Sequence, residues 1–397
     1  MGLILKKLLR RIILTFISIL IFVFFSILFI YLYENKSPQY KKLSELEINE
    51  YIKVLSKKSY TPTEYILNKF KDYNIVIIGE PHRVSQHYIL LKNLLRPLSK
   101  SGIKFVGLEF YEKTYQNKID SFLKNKKFDS EKLREIILSD DNFFYYQELY
   151  DVFEEAWKIN HEGLEINIIA LESDKRKKQY KDYTMAAISD QIVNKGNKIL
   201  LYTGEHHAFT KYEQPVTKII NYLFPEKSNT FRKNTGRFLK TEEFKRDPFH
   251  ISLHYVSFKK YSIFIPFFYK KYLCLRFNGI LDQILNTYNK PIGFDTNNYL
   301  IGEIYDNFSY YSITYSPLYL KDYSDGYIFL NPLEENKFVS PLKNICKSQK
   351  DIDNIKKFNP KKVKLFVDNY SAEELLKHEG LNSEKVKKAL DYGNLLK

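Results

Sequence analysis

Four short apolar runs, each separated from the next by a helix-length segment, constrain this chain more than any other feature. They are Asn74–Gly79, Lys104–Phe110, Glu165–Leu171 and Lys198–Gly204. Runs this short and rich in isoleucine and valine read as buried strands. The segments between them carry helical spacing. Val84–Leu98, for example, has Val84, Tyr88, Leu91, Leu95 and Leu98 on one stripe. Strands that alternate with helices pair in parallel through right-handed crossovers. The expected fold class is therefore α/β, a mostly parallel central sheet flanked by helices.

Two of the runs end alike, as glycine-x-x-histidine: Gly79-Glu80-Pro81-His82 and Gly204-Glu205-His206-His207. In open α/β sheets, ligands bind outside the carboxyl ends of the strands. At that edge the first run delivers Glu80, His82 and Arg83, and the second Glu109. The third delivers Glu172 and Asp174, and the fourth Glu205, His206 and His207. Histidine exchanges protons near neutral pH, carboxylates orient it or join it around a divalent metal, and arginine holds oxyanions. No nucleophile elbow, HExxH helix or phosphate-binding glycine loop is present. Water is then the expected nucleophile, activated by histidine or by a metal. Structural roles compete with these. Glu80 also suits a helix N-terminus, and His87 lies toward the buried stripe of its helix. His206 and His207 cannot face the same way on extended backbone, and His207 matches the repeated spacing.

The remaining sequence places this domain. Lys6, Lys7, Arg10 and Arg11 precede an uncharged run from Ile12 to Tyr33, about the ~20 residues a transmembrane helix needs. The positive-inside rule puts residues 1–11 in the cytoplasm and the main domain on the extracytoplasmic side. The expected order is a basic segment (1–11), a single-pass membrane anchor (12–33) and a polar linker (34–45). The α/β domain (46–340), with an aromatic-rich insert at 215–290, and a helical tail (341–397) follow. A short apolar stretch in Tyr261–Leu275 reads as a buried strand or a cover over the site. A formal charge of +15 raises the question of nucleic acid. The cations are scattered among Asp and Glu and no recognition motif accompanies them, so no nucleic-acid partner is expected. Two cysteines without CxxC spacing argue against a thiolate metal site.

The ordered motifs resemble a known superfamily, that of the ChaN-like haem-binding proteins, the TraB and TIKI proteins and the erythromycin-esterase-like hydrolases. The resemblance rests on Gly79-Glu80-Pro81-His82, Gly107-Leu108-Glu109, Asp182-Tyr183-Thr184-Met185-Ala186 and Gly204-Glu205-His206-His207, with His87 as a further match to ChaN-like proteins. It covers Asn74–Phe209. It implies His82 as general base, with Glu80, Glu109 and His207 as catalytic partners. Arg83, His87, Glu172, Asp182 and His206 would line the substrate site. In the TIKI-like branch His82, Glu109 and His207 would bind a divalent metal; in the ChaN-like branch the same face would take haem. The expected function is a membrane-anchored, hydrolase-like protein acting on an ester or peptide; the alternative is a binding protein for haem or another iron complex.

Overall fold

The computed structural model describes residues 2–34, 40–57, 60–138, 146–173, 180–213, 233–258, 273–312 and 317–340, with a few isolated positions between them. Asp174, nearly all of the apolar stretch after Tyr261 and the tail beyond 342 lie outside the described residues.

Helix α1 runs Gly2–Glu34. Its apolar stretch, Arg10–Leu28, has a mean hydropathy of 2.6 over 19 residues. It therefore has the length and composition of a membrane span, a test that a signal sequence also passes. Helix α2 (Glu45–Lys57) follows, then α3 (Pro62–Lys69). The start of α3 is set by its sequence. Thr61 and Glu64 form a capping box around Pro62, which satisfies two N-terminal N–H groups reciprocally.

The sheet begins with β1 (Ile75–Glu80), followed by α4 (Ser85–Lys100) and β2 (Phe105–Glu112). Helices α5 (Gln116–Leu123), α6 (Ser130–Leu138) and α7 (Gln147–His161) lead to β3 (Asn167–Glu172), α8 (Lys181–Asn194) and β4 (Ile199–Gly204). Four predicted strands are thus present, and the second runs two residues further than its apolar stretch. After β4 come the single turn α9 (Glu205–Ala208), α10 (Thr235–Leu239), β5 (Phe249–Leu253) and the short antiparallel pair β6 (Ser257–Phe258) and β7 (Leu273–Cys274). The chain continues through α11 (Ile280–Tyr288), β8 (Ile292–Asp295), β9 (Tyr305–Asp306), β10 (Leu318–Tyr319), α12 (Leu320–Tyr323) and β11 (Gly326–Phe329). Strands β5 and β6 are separated by a break at His254–Val256.

Seven strands form the main sheet in the order β3-β2-β4-β1-β5-β11-β8. All neighbours are parallel except the edge strand β8, which is antiparallel to β11. Strand alternation divides the core. Val76 and Ile78 pack with Tyr88, Leu91 and Leu95 of α4 on one face. Ile75 and Ile77 pack with Met185 and Ala186 of α8 on the other. A third cluster, including Leu43, Leu55, Leu281 and Tyr327, covers the β11–β8 side.

Strands β1 and β4 are neighbours in register from Ile75↔Ile199 to Glu80↔Gly204. The two Gly-x-x-His segments, far apart in the chain, therefore leave the sheet side by side. The chain leaves β1 toward one edge, to β2, and leaves β4 toward the other, to β5. Such a switch point opens a crevice at the carboxyl ends of the strands.

Candidate functional site

At the end of β1 the Glu80 carboxylate is fully buried and folds back on the next turn. Its Oε2 accepts the backbone N–H of His82 at 2.5 Å, and its Oε1 engages His82 Nδ1. His82 and Arg83 both adopt left-handed backbone, with φ of 64° and 67°. Consecutive non-glycine residues in this region are strained, and such strain persists where the surroundings enforce it. Here Glu80 holds one side of the turn. On the other, the Arg83 carbonyl accepts Val339 N–H at 3.0 Å and Val84 bridges to Phe338. Arg83 Nε donates to the Tyr146 hydroxyl at 3.1 Å. Burial alone would lower the His82 pKa, but the adjacent Glu80 carboxylate, joined by Glu109, raises it above 6.5.

Glu109 stands within β2. Its Oε2 accepts the Gly204 N–H at 2.5 Å, and its Oε1 lies 3.5 Å from Lys181 Nζ and 3.8 Å from His207 Nε2. Burial opposes its ionisation, yet His207, Lys181 and His82 hold its pKa down to about 2. Gly204 is required by proximity. A Cβ there would stand 2.6 Å from His82 Nε2 and 3.4 Å from Glu109 Oε2.

His207 is oriented by a second carboxylate. Its Nδ1 lies 2.7 Å from Asp182 Oδ1, which also accepts the N–H and hydroxyl of Thr235 at 2.8 and 2.9 Å. Asp182 stands in the first turn of α8, where the helix dipole favours a carboxylate. Burial works against the charged ring, but Glu109 and Asp182 raise the His207 pKa. Glu172, at the end of β3, lies 3.5 Å from Lys181 Nζ, so Lys181 stands between two buried carboxylates.

These groups border a cavity of about 410 Å³. It is lined by Glu80, Pro81, His82, Arg83, Gly204, Glu205, His206 and His207 from the two motifs. Tyr255, Val256, Ser257, Leu273, Arg276, Tyr310 and Tyr311 complete the lining. Glu205 is buried and paired with Arg276 through two hydrogen bonds of 2.6 Å. It also accepts Ser252 Oγ at 2.5 Å and the Tyr311 hydroxyl at 2.9 Å. Its pKa falls to about 2, burial being outweighed by Arg276. His206 is exposed at the mouth, with its ring against Phe209, Tyr310 and Tyr311.

Of the residues expected in the site, His82, Glu80, Arg83, His206 and His207 line the cavity. Glu109, Asp182 and Glu172 stand behind it and reach it through Gly204, His207 and Lys181. His87 departs from expectation. It is buried beneath the site with its ring edge-on to Tyr255, and burial pushes its pKa down to about 3. The apolar stripe of α4 turns it into the core rather than to the cavity. Among the described residues no three His, Cys, Asp or Glu side chains converge as metal ligands. In the trio His82, Glu109 and His207, the bonds to Glu80, Gly204 N–H and Asp182 use His82 Nδ1, Glu109 Oε2 and His207 Nδ1, and His207 Nε2 lies 3.8 Å from Glu109 Oε1.

Lys181, Thr235, Arg276 and Tyr311 escaped the sequence reading. A lysine in the first turn of a helix opposes the dipole, and that anomaly signals carboxylates nearby. Thr235, Arg276 and Tyr311 carry no such local mark.

Fold and site together define an open α/β domain with carboxylate-oriented histidines at the carboxyl ends of adjacent parallel strands. Residues 66–179 match the family described as haem-binding uptake, Tiki superfamily, ChaN, so the resemblance read from the motifs holds. Among solved structures the chain is similar to a succinoglycan biosynthesis protein, at 12% identity and a TM-score of 0.49, covering 76% of this chain and 100% of the other. It is similar to ChaN of Campylobacter jejuni, described with cofacial haem, at 14% identity and a TM-score of 0.27, over 48% of this chain and 86% of that one. An erythromycin esterase variant in its open conformation aligns at 10% identity with a TM-score of 0.34, over 65% and 90% of the two chains. No curated protein matches the chain by sequence.

Proposed function

We propose that the protein is a membrane-anchored, extracytoplasmic hydrolase of esters or peptides that activates water by histidine. The observation that carries this reading is the pair of carboxylate-backed imidazoles, His82–Glu80 and His207–Asp182, facing one cavity. A carboxylate at Nδ1 fixes the tautomer and stabilises the imidazolium formed when Nε2 takes a proton. His82, in its neutral form, removes a proton from water as the oxygen attacks the substrate carbonyl. His207, protonated beside Asp182 and Glu109, donates a proton to the leaving group. Glu109 fixes Gly204 against His82, and Lys181 keeps Glu109 and Glu172 together without their mutual repulsion opening the floor. Arg83, which lines the cavity, meets the developing oxyanion in this reading.

The test is turnover of aryl esters and peptides by detergent-solubilised full-length protein. General acid–base groups contribute about 10²–10⁴-fold, so His82→Gln and His207→Gln should each lose activity on that scale. Hydrolysis unchanged in both variants would sink the proposal.

A second reading, a binding protein for haem, is favoured by the family match over residues 66–179. The donor types suit it, because histidine and tyrosine both ligate haem iron, and His206 and Tyr310 meet at the cavity mouth. Those two residues, or His82 and His207 further in, would hold the group; bound haem would supply iron for ligand binding or redox chemistry. Titration with haemin separates the readings. A Soret shift abolished by substitution of these histidines supports haem binding, and an unshifted band excludes it.

A further inference from the structure

From Tyr40 to Leu43 the chain is hydrogen-bonded to the segment 275–283. It is bound to the wall of the cavity. The Tyr40 hydroxyl accepts Leu275 N–H at 3.0 Å, and Lys41 N–H donates to the Asn278 carbonyl at 3.3 Å. Leu43, itself buried, donates its N–H to Gln283 Oε1 at 2.9 Å, and Gln283 Nε2 returns a bond to the Lys41 carbonyl at 2.7 Å. The Tyr40 ring packs in one cluster with Tyr255, Val256 and Leu273. Those three residues line the cavity.

Tether length then sets where the cavity lies. Helix α1 ends at Glu34, and the stretch from Glu34 to Tyr40 reaches at most ~20 Å fully extended. With α1 in a bilayer, Tyr40 stays within ~20 Å of the helix end, and the wall it is packed against is held close to the membrane surface. That wall supplies apolar side chains, Tyr255, Val256 and Leu273, to the cavity that the two histidines also line.

We propose that the site takes its substrate from the membrane surface: an amphiphile whose apolar part lies along Tyr255, Val256 and Leu273 while its ester or amide meets His82 and His207. The substrate class rests on the hydrolytic reading above; the placement of the cavity does not.

Full-length protein in phosphatidylcholine vesicles tests both. Cys274 and Cys346 are replaced by alanine, and a fluorophore is attached through Tyr310→Cys at the mouth or Lys195→Cys at the opposite end of the strands. Lipid carrying a spin label on its headgroup should quench the first label several-fold more than the second. A ten-residue Gly-Ser insertion between Glu34 and Tyr40 should abolish the difference. Equal quenching at the two positions, or quenching unaffected by the insertion, overturns the placement. In the same vesicles, 4-nitrophenyl dodecanoate should be hydrolysed at least about ten-fold more efficiently than 4-nitrophenyl acetate, since a few buried methylenes suffice for that. Acetate preferred or equal overturns the substrate class. Neither ester hydrolysed, with the quenching pattern intact, removes the hydrolytic reading and leaves the membrane-surface placement standing.

Discussion

His250 should make the domain labile to mild acid. It stands in β5, fully buried, with neither ring nitrogen hydrogen-bonded among the described residues and its ring edge-on to Phe209. Burial drives its pKa from 6.5 down to about 4, although Asp325 and Glu205 pull the other way and Lys211 and Arg276 reinforce the fall. Between those values the unfolded chain binds a proton that the native state refuses. The contribution is therefore complete above pH 6.5 and is lost as pH falls toward the folded pKa. A drop of about 2.5 units at 1.36 kcal/mol each corresponds to ~3 kcal/mol by pH 4. His250→Leu removes the titrating group without breaking a side-chain hydrogen bond, so at pH 7.5 it should cost less than about 1.5 kcal/mol. The assay is urea unfolding of the full-length protein in detergent at pH 7.5, 5.5 and 4. Relative to the parent, the variant should gain ~3 kcal/mol between the first and last pH; titrations common to both proteins cancel. Parallel stability curves would refute the reasoning, because they would mean that the buried imidazole charges in the native state without penalty.

Four further outcomes follow from the site. Gly204→Ala should push the His82 ring away by roughly 1 Å and lower turnover on the order of 10²-fold with the fold retained; activity within a few-fold of the parent contradicts the packing at Gly204. Asp182→Asn removes an anion that raises the His207 pKa, so an NMR titration of that ring should show a lower value, and an unchanged one refutes Asp182 as its partner. Arg276→Met leaves the buried Glu205 unpaired and should cost about 3–5 kcal/mol in chemical unfolding, against a near-neutral result if the pair contributes nothing. Turnover should also decline as pH falls through the raised His82 pKa, because only the neutral ring accepts a proton; a flat acid limb excludes it as the base.

Local sequence determined the parts of this protein that depend on neighbours within a few residues. The alternation of β1 residues between the two faces of the sheet needs only the order of Ile75, Val76, Ile77 and Ile78, and the capping box needs only Thr61, Pro62 and Glu64. The bond from Glu80 to His82 spans two residues, which is why the first motif signals its chemistry in the sequence. His207 was legible by its spacing and Asp182 by its motif, though their contact was not.

Tertiary structure alone decided the rest. Strand order places β4 beside β1, although β2 and β3 lie between them in the chain. The stripe of α4 sends His87 inward, since burying an apolar face takes its polar member along. Arg276 reaches Glu205 across 71 residues, and Gln283 reaches Leu43 across 240. Such pairs leave no periodicity to read. The sequence shows that a carboxylate and a cation exist; only the packing that excludes water from both makes them partners, and only the docking of Tyr40 ties the cavity wall to the N-terminal helix.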